Sequence, residues 1–215
     1  MTSIIAIAAG LSDPSTSRLL ADRITDEVRR RLPEASVETV ELRPLARQIT
    51  DAALSGFAAP GLQHEIDKVA SADGLVVVSP IFKASYTGLF KTFMDVLDAD
   101  LLIGKPVLLA ATGGTARHSL AIDLSLRPLF SYLQAFVVPT GVFASPHDWG
   151  SEGTQALGAR IARAVGELVS MLGGGGTGRT REDEIDVFSE TMRSIAEPPA
   201  APIPTRPGPP ETASP

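Results

Sequence analysis

Apolar residues fall along this chain in short unbroken runs that alternate with stripes of helical period. Ile4-Ile5-Ala6-Ile7-Ala8-Ala9 has no polar interruption and reads as a buried first strand that ends at Gly10. Leu20, Ile24, Val28 and Leu32 are then spaced four apart, an apolar stripe on a helix that stops at Pro33. Val37 to Leu42 predicts a second strand, whereas Leu45 to Ala59 lacks a clean period and reads as an irregular crossover with one helical turn. Pro60 to Ala70 is helical by the register of Leu62, Ile66 and Val69, Leu75 to Val78 is the third strand, and Thr87 to Leu97 the next helix. Gly104-Lys105-Pro106 turns into a fourth strand, Val107 to Ala111. Leu120 to Ala135 predicts a helix kinked at Pro128, and Phe136 to Phe143 a fifth strand. Leu157, Ile161, Val165, Leu168 and Leu172 mark a final long amphipathic helix. Five strands alternating with helices predict an α/β fold, a doubly wound five-stranded parallel sheet with helices on both faces. Right-handed crossovers put the first strand near the centre of the sheet.

The character changes after Leu172. The expected organisation is a domain over 1–172, a Gly-rich linker with a charged, marginally helical segment over 173–196, and a disordered tail over 197–215. That tail holds 8 of the 17 prolines and almost nothing apolar, so it has no material for a core. Aromatics are only 5% of the 215 residues, so the core rests on Ala, Val, Leu and Ile, which suits helices packed on a parallel sheet. The net charge of -6 argues against a nucleic-acid surface, which needs a basic face. It leaves small anionic ligands open, because helix N-termini bind phosphate without formal charge. The absence of cysteine rules out disulfides, Fe–S clusters and thiolate chemistry, and fits a cytoplasmic protein. No apolar run is long enough to cross a bilayer, and no membrane association is expected.

Three segments follow the carboxyl ends of predicted strands, where open α/β sheets bind their ligands. Gly10-Leu11-Ser12-Asp13-Pro14-Ser15-Thr16-Ser17-Arg18 has neither a G-x-G-x-x-G nor a G-x-x-x-x-G-K-[ST] pattern, but it sets four hydroxyls in six positions just before a helix. Ser12, Ser15, Thr16 and Ser17 fit a phosphate monoester at a helix N-terminus, and Ser15 or Ser17 equally fits an ordinary N-cap. Pro80-Ile81-Phe82-Lys83 offers a rigid backbone and a flat apolar surface for a planar ring, with core packing the alternative for Phe82. Thr112-Gly113-Gly114-Thr115 permits close backbone approach to a ligand, or is a plain strand-to-helix turn. His64, His118 and His147 are scattered and form no metal constellation, so no metal and no side-chain nucleophile or acid is expected.

From Pro80 the spacing Pro80, Phe82, Ser85, Gly88, Lys91, Asp95 resembles the P-x-Y-x-x-S-x-x-G-x-x-K-x-x-x-D signature of the NAD(P)H-dependent FMN reductases, with Phe at the Tyr position. The serine-rich loop is similar to the phosphate loop of that family, and the resemblance extends over about Ile4 to Ala144. It implies a flavodoxin-like strand order 2-1-3-4-5 and hydride transfer from NADPH or NADH to FMN. By the same resemblance Ser12, Ser15, Thr16 and Ser17 hold the FMN phosphate, and Pro80, Ile81, Phe82 and Lys83 line the flavin ring with their backbone N–H groups at its edge. Thr112, Gly113, Gly114 and Thr115 meet the pyrimidine side, and Arg117 sits at the rim toward the NADPH phosphate. Lys91 and Asp95 read as an i,i+4 pair instead. Ala111 to Thr115 and the stretch through Ala144 look most like the reductases that supply two-component flavin-dependent monooxygenases. Such a monooxygenase is therefore an implied partner, and a homodimer or homotetramer the implied assembly. Leu124 departs from that branch, which carries a Tyr there with a helix insertion, and leaves open whether FMN is a substrate or a bound cofactor. A flavodoxin-like electron carrier, an FMN-bound quinone or azo reductase, and a flavin-free phosphate-binding module are the alternative readings.

Overall fold

The computed structural model describes residues 1–173. The Gly-rich stretch from 174 onward and the proline-rich tail lie outside the described residues. Six strands, β1 (Ser3–Ala8), β2 (Ser36–Glu41), β3 (Gly74–Pro80), β4 (Pro106–Thr112), β5 (Phe136–Val137) and β6 (Val142–Ala144), form one sheet. Its order is β2-β1-β3-β4-β5, with β6 also on β4, and every pairing is parallel. This is the flavodoxin-like order, with a ligand crevice at the β1/β3 switch point.

Helices cover both faces because alternate strand residues are apolar on both. Ile4, Ala6 and Ala8 pack with Leu20, Ile24 and Val28 of α1 (Thr16–Arg31) and with Leu157, Ile161, Val165 and Leu168 of α6 (Ser151–Leu172). Ile5, Ile7 and Ala9 face the other way, against α2 (Ala46–Ser55), α3 (Pro60–Ser71), α4 (Gly88–Asp95) and α5 (Arg127–Tyr132). Helix α1 carries Arg29, Arg30 and Arg31 in its last turn, where the helix dipole favours cations. No described helix is long and apolar enough to cross a membrane.

Three segments differ from the sequence expectation. The crossover after β2 contains a full helix, α2, which buries only Ile49 and Ala52 and ends on Gly56 at φ 78°. The predicted helix Leu120–Ala135 is instead a 3-10 turn at Ala116–His118, a π-helical turn at Ile122–Leu126, and the short α5. The Arg127 N–H reaches back to the Ile122 carbonyl, five residues away, and Pro128 has no N–H with which to restore the narrower winding. Leu124 stands on this wider turn and is 73% exposed. The fifth strand is split at Pro139-Thr140-Gly141, since proline donates nothing to a ladder. The Val138 and Pro139 carbonyls accept from Arg127, and the Thr140 N–H and hydroxyl donate to Glu167 at 2.7 and 2.6 Å.

Glu27 on α1 accepts from Arg30 and Arg31 at 2.6 and 2.7 Å. The Arg30 hydrogen bond, with help from Arg31, outweighs burial and holds the Glu27 carboxyl down at about 2, against an ordinary 4.5. A folded pKa below the unfolded one gives stability that is present above the unfolded value and is lost as pH falls through the folded one. Glu27→Gln is therefore expected to lower the unfolding free energy by about 1 kcal/mol at pH 7, solvent screening limiting the effect. The difference from wild type should vanish near pH 2, which urea unfolding over a pH series checks.

Candidate functional site

At the carboxyl edge of the sheet, the loop after β1 leads into α1 with Ser15 as N-cap. Its hydroxyl accepts from the Arg18 N–H at 3.2 Å. The N–H groups of Thr16 and Ser17 open the helix and have no acceptor inside it. Capping and ligand binding thus fall to different groups of one loop. Gly10 lets the loop fold tightly, because a Cβ there would lie 1.9 Å from the Ser15 hydroxyl. Gly10, Leu11, Ser12, Ser15, Thr16, Ser17, Pro80 and Phe82 surround a pocket of about 260 Å³.

After β3 the chain makes a tight turn. The Phe82 N–H donates to the Ser85 carbonyl at 2.8 Å and the Ser85 N–H to Phe82 at 3.2 Å, with Lys83 at φ 53° and Ala84 at φ 69° between them. Two non-glycine residues in the left-handed region are a local strain held by the surrounding structure. Phe82 is turned out of the core, 52% exposed, which removes core packing as its role. The Ile81 N–H is engaged by the Thr112 carbonyl and that of Phe82 by Ser85. Among the described residues, the turn's free N–H groups are therefore those of Lys83 and Ala84.

The loop after β4 faces the same crevice. The Thr112 hydroxyl is 2.8 Å from that of Ser17, both buried, which ties the β4 end to the start of α1. Thr16, Pro80, Ile81, Phe82, Thr112, Gly113 and Gly114 line a cleft of about 400 Å³ together with Ala144, Pro146 and Trp149. The cleft and the 260 Å³ pocket share Thr16, Pro80 and Phe82, so they are two ends of one groove.

The structure thus brings together Ser12, Ser15, Thr16, Ser17, Pro80, Ile81, Phe82, Thr112, Gly113 and Gly114. Lys83 and Thr115 line neither end, and Arg117 is exposed beyond the 400 Å³ cleft. Lys91 and Asp95 form an exposed i,i+4 pair at 2.6 Å, away from the groove. His118 makes only a backbone bond to Thr115.

The wall at Ala144, Pro146 and Trp149 was absent from the sequence expectation, although it follows the carboxyl end of a strand. Ser145 caps this turn, its N–H and hydroxyl donating to the Asp148 carboxylate at 2.9 and 2.7 Å. Burial alone would raise the Asp148 pKa, but these bonds and the Arg160 guanidinium overcome it and hold the carboxyl below its usual range. Arg160 also donates to the Phe143 carbonyl at 2.7 Å, and Arg23 stacks 4.8 Å from the centre of the Trp149 ring.

A groove with a phosphate-sized pocket of hydroxyls at one end and an aromatic-walled slot at the other suits a phosphorylated planar ring. Residues 2–150 match the family of NADPH-dependent FMN reductases. The chain belongs to that family. It is an oxidoreductase acting on FMN. It is 39% identical over 173 residues to an FMN reductase (NADPH) of Pseudomonas aeruginosa, covering 80% of this chain and 92% of the relative. To the NADH-dependent FMN reductase SfnE of Pseudomonas putida it is 38% identical over 172 residues, 79% and 92% of the two chains. The solved structure of an oxidoreductase from Corynebacterium diphtheriae superposes with a TM-score of 0.77 at 46% identity, covering 80% of this chain and 97% of that one.

Proposed function

We propose that this FMN reductase binds FMN along the groove, with the phosphate on Ser12, Ser15, Thr16 and Ser17 and the ring against Phe82, Thr112–Gly114 and Trp149. The observation that carries this reading is the continuity of the hydroxyl pocket with the aromatic-walled cleft through Thr16, Pro80 and Phe82. The residues fit the group: the α1 N-terminus offers free N–H donors to a phosphate, and nothing lies within 4 Å of a Cβ built at Gly114, leaving that rim open. When bound, FMN supplies the redox chemistry and takes up a hydride from NADPH or NADH. The protein's residues position and shield. Ser17 and Thr112 fix the two loops against each other, and Phe82 and Trp149 wall off water.

The reduced flavin is proposed to serve a two-component monooxygenase in the cytoplasm. Support comes from the resemblance of Ala111 to Ala144 to reductases of that kind. Self-association is proposed through the face carrying Leu120, Leu124 and Tyr132, which are 63%, 73% and 83% exposed.

Trp149 is the chain's one tryptophan and lines the cleft, so its emission should fall in step with bound FMN and saturate at one flavin per chain. Binding without loss of emission would remove the flavin from this cleft. Anaerobic addition of NADPH or NADH to the same sample then follows loss of the oxidised-flavin band. Turnover of excess FMN establishes flavin as substrate; reduction that stops at one equivalent makes it a bound cofactor. Absence of reduction by either donor would overturn the reductase reading in favour of an electron carrier.

A further inference from the structure

Trp149 forms one wall of the 400 Å³ cleft and is the last residue of the 3-10 turn Pro146–Trp149. Ser145, Asp148 and Arg160 tie this turn to α6 on one side. On the other side the indole meets α1 through Arg23, whose guanidinium carbon is 4.8 Å from the ring centre. Arg23 does not itself line the cleft, so the indole stands between its charge and the cleft. We propose that Arg23 is a positioning residue for the flavin ring. It holds Trp149 as a preformed wall and sets a fixed positive charge behind it, which favours the reduced flavin. This role rests on the flavin reading of the groove.

The pairing along α1 leaves Arg23 to this contact. Asp22, Asp26 and Glu27 are the carboxylates of the helix, and each is already bound to another arginine: Asp22 to Arg18, Asp26 to Arg29, and Glu27 to Arg30 and Arg31. The position of Arg23 on the helix is equally suited. Thr16 and Arg23 are seven apart, so they share one face of α1, about 10 Å from each other along its axis. Thr16 lines both ends of the groove. The same helix therefore presents its N-terminus to the phosphate and a cation to the ring wall. A guanidinium over an indole face is attracted by the ring's quadrupole, which fixes the ring plane as well as its place. The charge also acts beyond the indole. A hydride brings two electrons and one proton, so the flavin that receives it gains one negative charge. Coulomb attraction falls only as the inverse of distance, and a cation one ring behind the wall still favours that product.

The test compares the full chain as wild type, Arg23→Ala, Arg23→Met and Arg23→Lys, each shown folded by circular dichroism. Trp149 is the chain's one tryptophan, so emission of the flavin-free protein reports this contact alone. It should move to longer wavelength in Arg23→Ala and Arg23→Met as the indole loosens into water, and less in Arg23→Lys. FMN and riboflavin should each bind about twofold to fivefold more weakly to the Ala and Met variants, the fold-change that corresponds to one cation–π contact. The midpoint potential of the bound flavin should become more negative in the same two variants. Arg23→Lys, which keeps the charge, should lie between them and wild type in both measurements. Unchanged emission in Arg23→Ala overturns the clamp. A Met variant that matches wild type, or a Lys variant no better than Met, overturns the role of the charge. Weaker binding of FMN with riboflavin unaffected would place the effect at the start of α1 and overturn the assignment to the ring wall. Folded wild type that binds neither flavin overturns the flavin reading, and with it the role of Arg23 toward the ring. Trp149 emission of the flavin-free variants tells that failure from a failure of the contact itself.

Discussion

Gly153→Ala is expected to destabilise the protein by about 2–3 kcal/mol, although alanine is ordinarily the better helix residue by about 1 kcal/mol. Gly153 lies in the first turn of α6, and a Cβ built there would fall 2.2 Å from the His147 carbonyl oxygen and 2.7 Å from the Asp148 Cα. These are backbone atoms, so no rotamer change relieves the overlap. Either the start of α6 or the turn 145–149 has to move. That turn is held by Ser145, Asp148 and Arg160 and carries Trp149 into the cleft, so the substitution should also weaken FMN binding. Gly158→Ala in the same helix is the control. Its Cβ would meet nothing within 4 Å, and it should raise stability by about 0.5–1 kcal/mol. Urea unfolding with comparison of midpoints at constant m-value measures both. A Gly153→Ala protein as stable as Gly158→Ala would show that the close approach does not exist.

Strands β1, β3 and β4 were legible because each carries an uninterrupted apolar run, and a parallel sheet buried on both faces leaves little else for such runs to do. Helix α2 escaped because it buries only Ile49 and Ala52, too few for a period to emerge, yet Gly56 at its end was a readable stop signal. The segment Leu120–Ala135 shows a different limit. Buried Ile122, Leu126 and Phe130 are spaced four apart, as an α-helix would have them, and the spacing does not reveal that the turn between Ile122 and Arg127 is wider. Only the hydrogen-bond pattern does. At the site, the signature from Pro80, the hydroxyls after Gly10 and the segment Thr112-Gly113-Gly114 named three walls of the groove. The fourth, at Ala144, Pro146 and Trp149, was reachable by applying the strand-end rule once more, to the fifth strand. What no local pattern carries is the Ser17–Thr112 contact, since it joins residues 95 apart in sequence.

The phosphate end of the groove should be the more sensitive to a single methyl group. Gly10→Ala is expected to weaken FMN binding by tenfold or more, roughly the value of one lost charge-assisted hydrogen bond. The new Cβ would lie 1.9 Å from the Ser15 hydroxyl and 3.0 Å from the Ser15 Cβ. Rotating the hydroxyl away relieves only the first contact, and it removes the acceptor that caps α1 at the Arg18 N–H. The loss of that cap costs about 1 kcal/mol of stability. The second contact then pushes the loop itself, and with it the free N–H groups of Thr16 and Ser17. Ser15→Ala separates the two effects, because it removes the cap without the crowding and should lose stability to a similar degree with a smaller loss of FMN affinity. Riboflavin, which lacks the phosphate, should bind wild type and Gly10→Ala alike. Equal losses for FMN and riboflavin would place the damage in the ring cleft, and unchanged FMN binding would exclude this loop as the phosphate site.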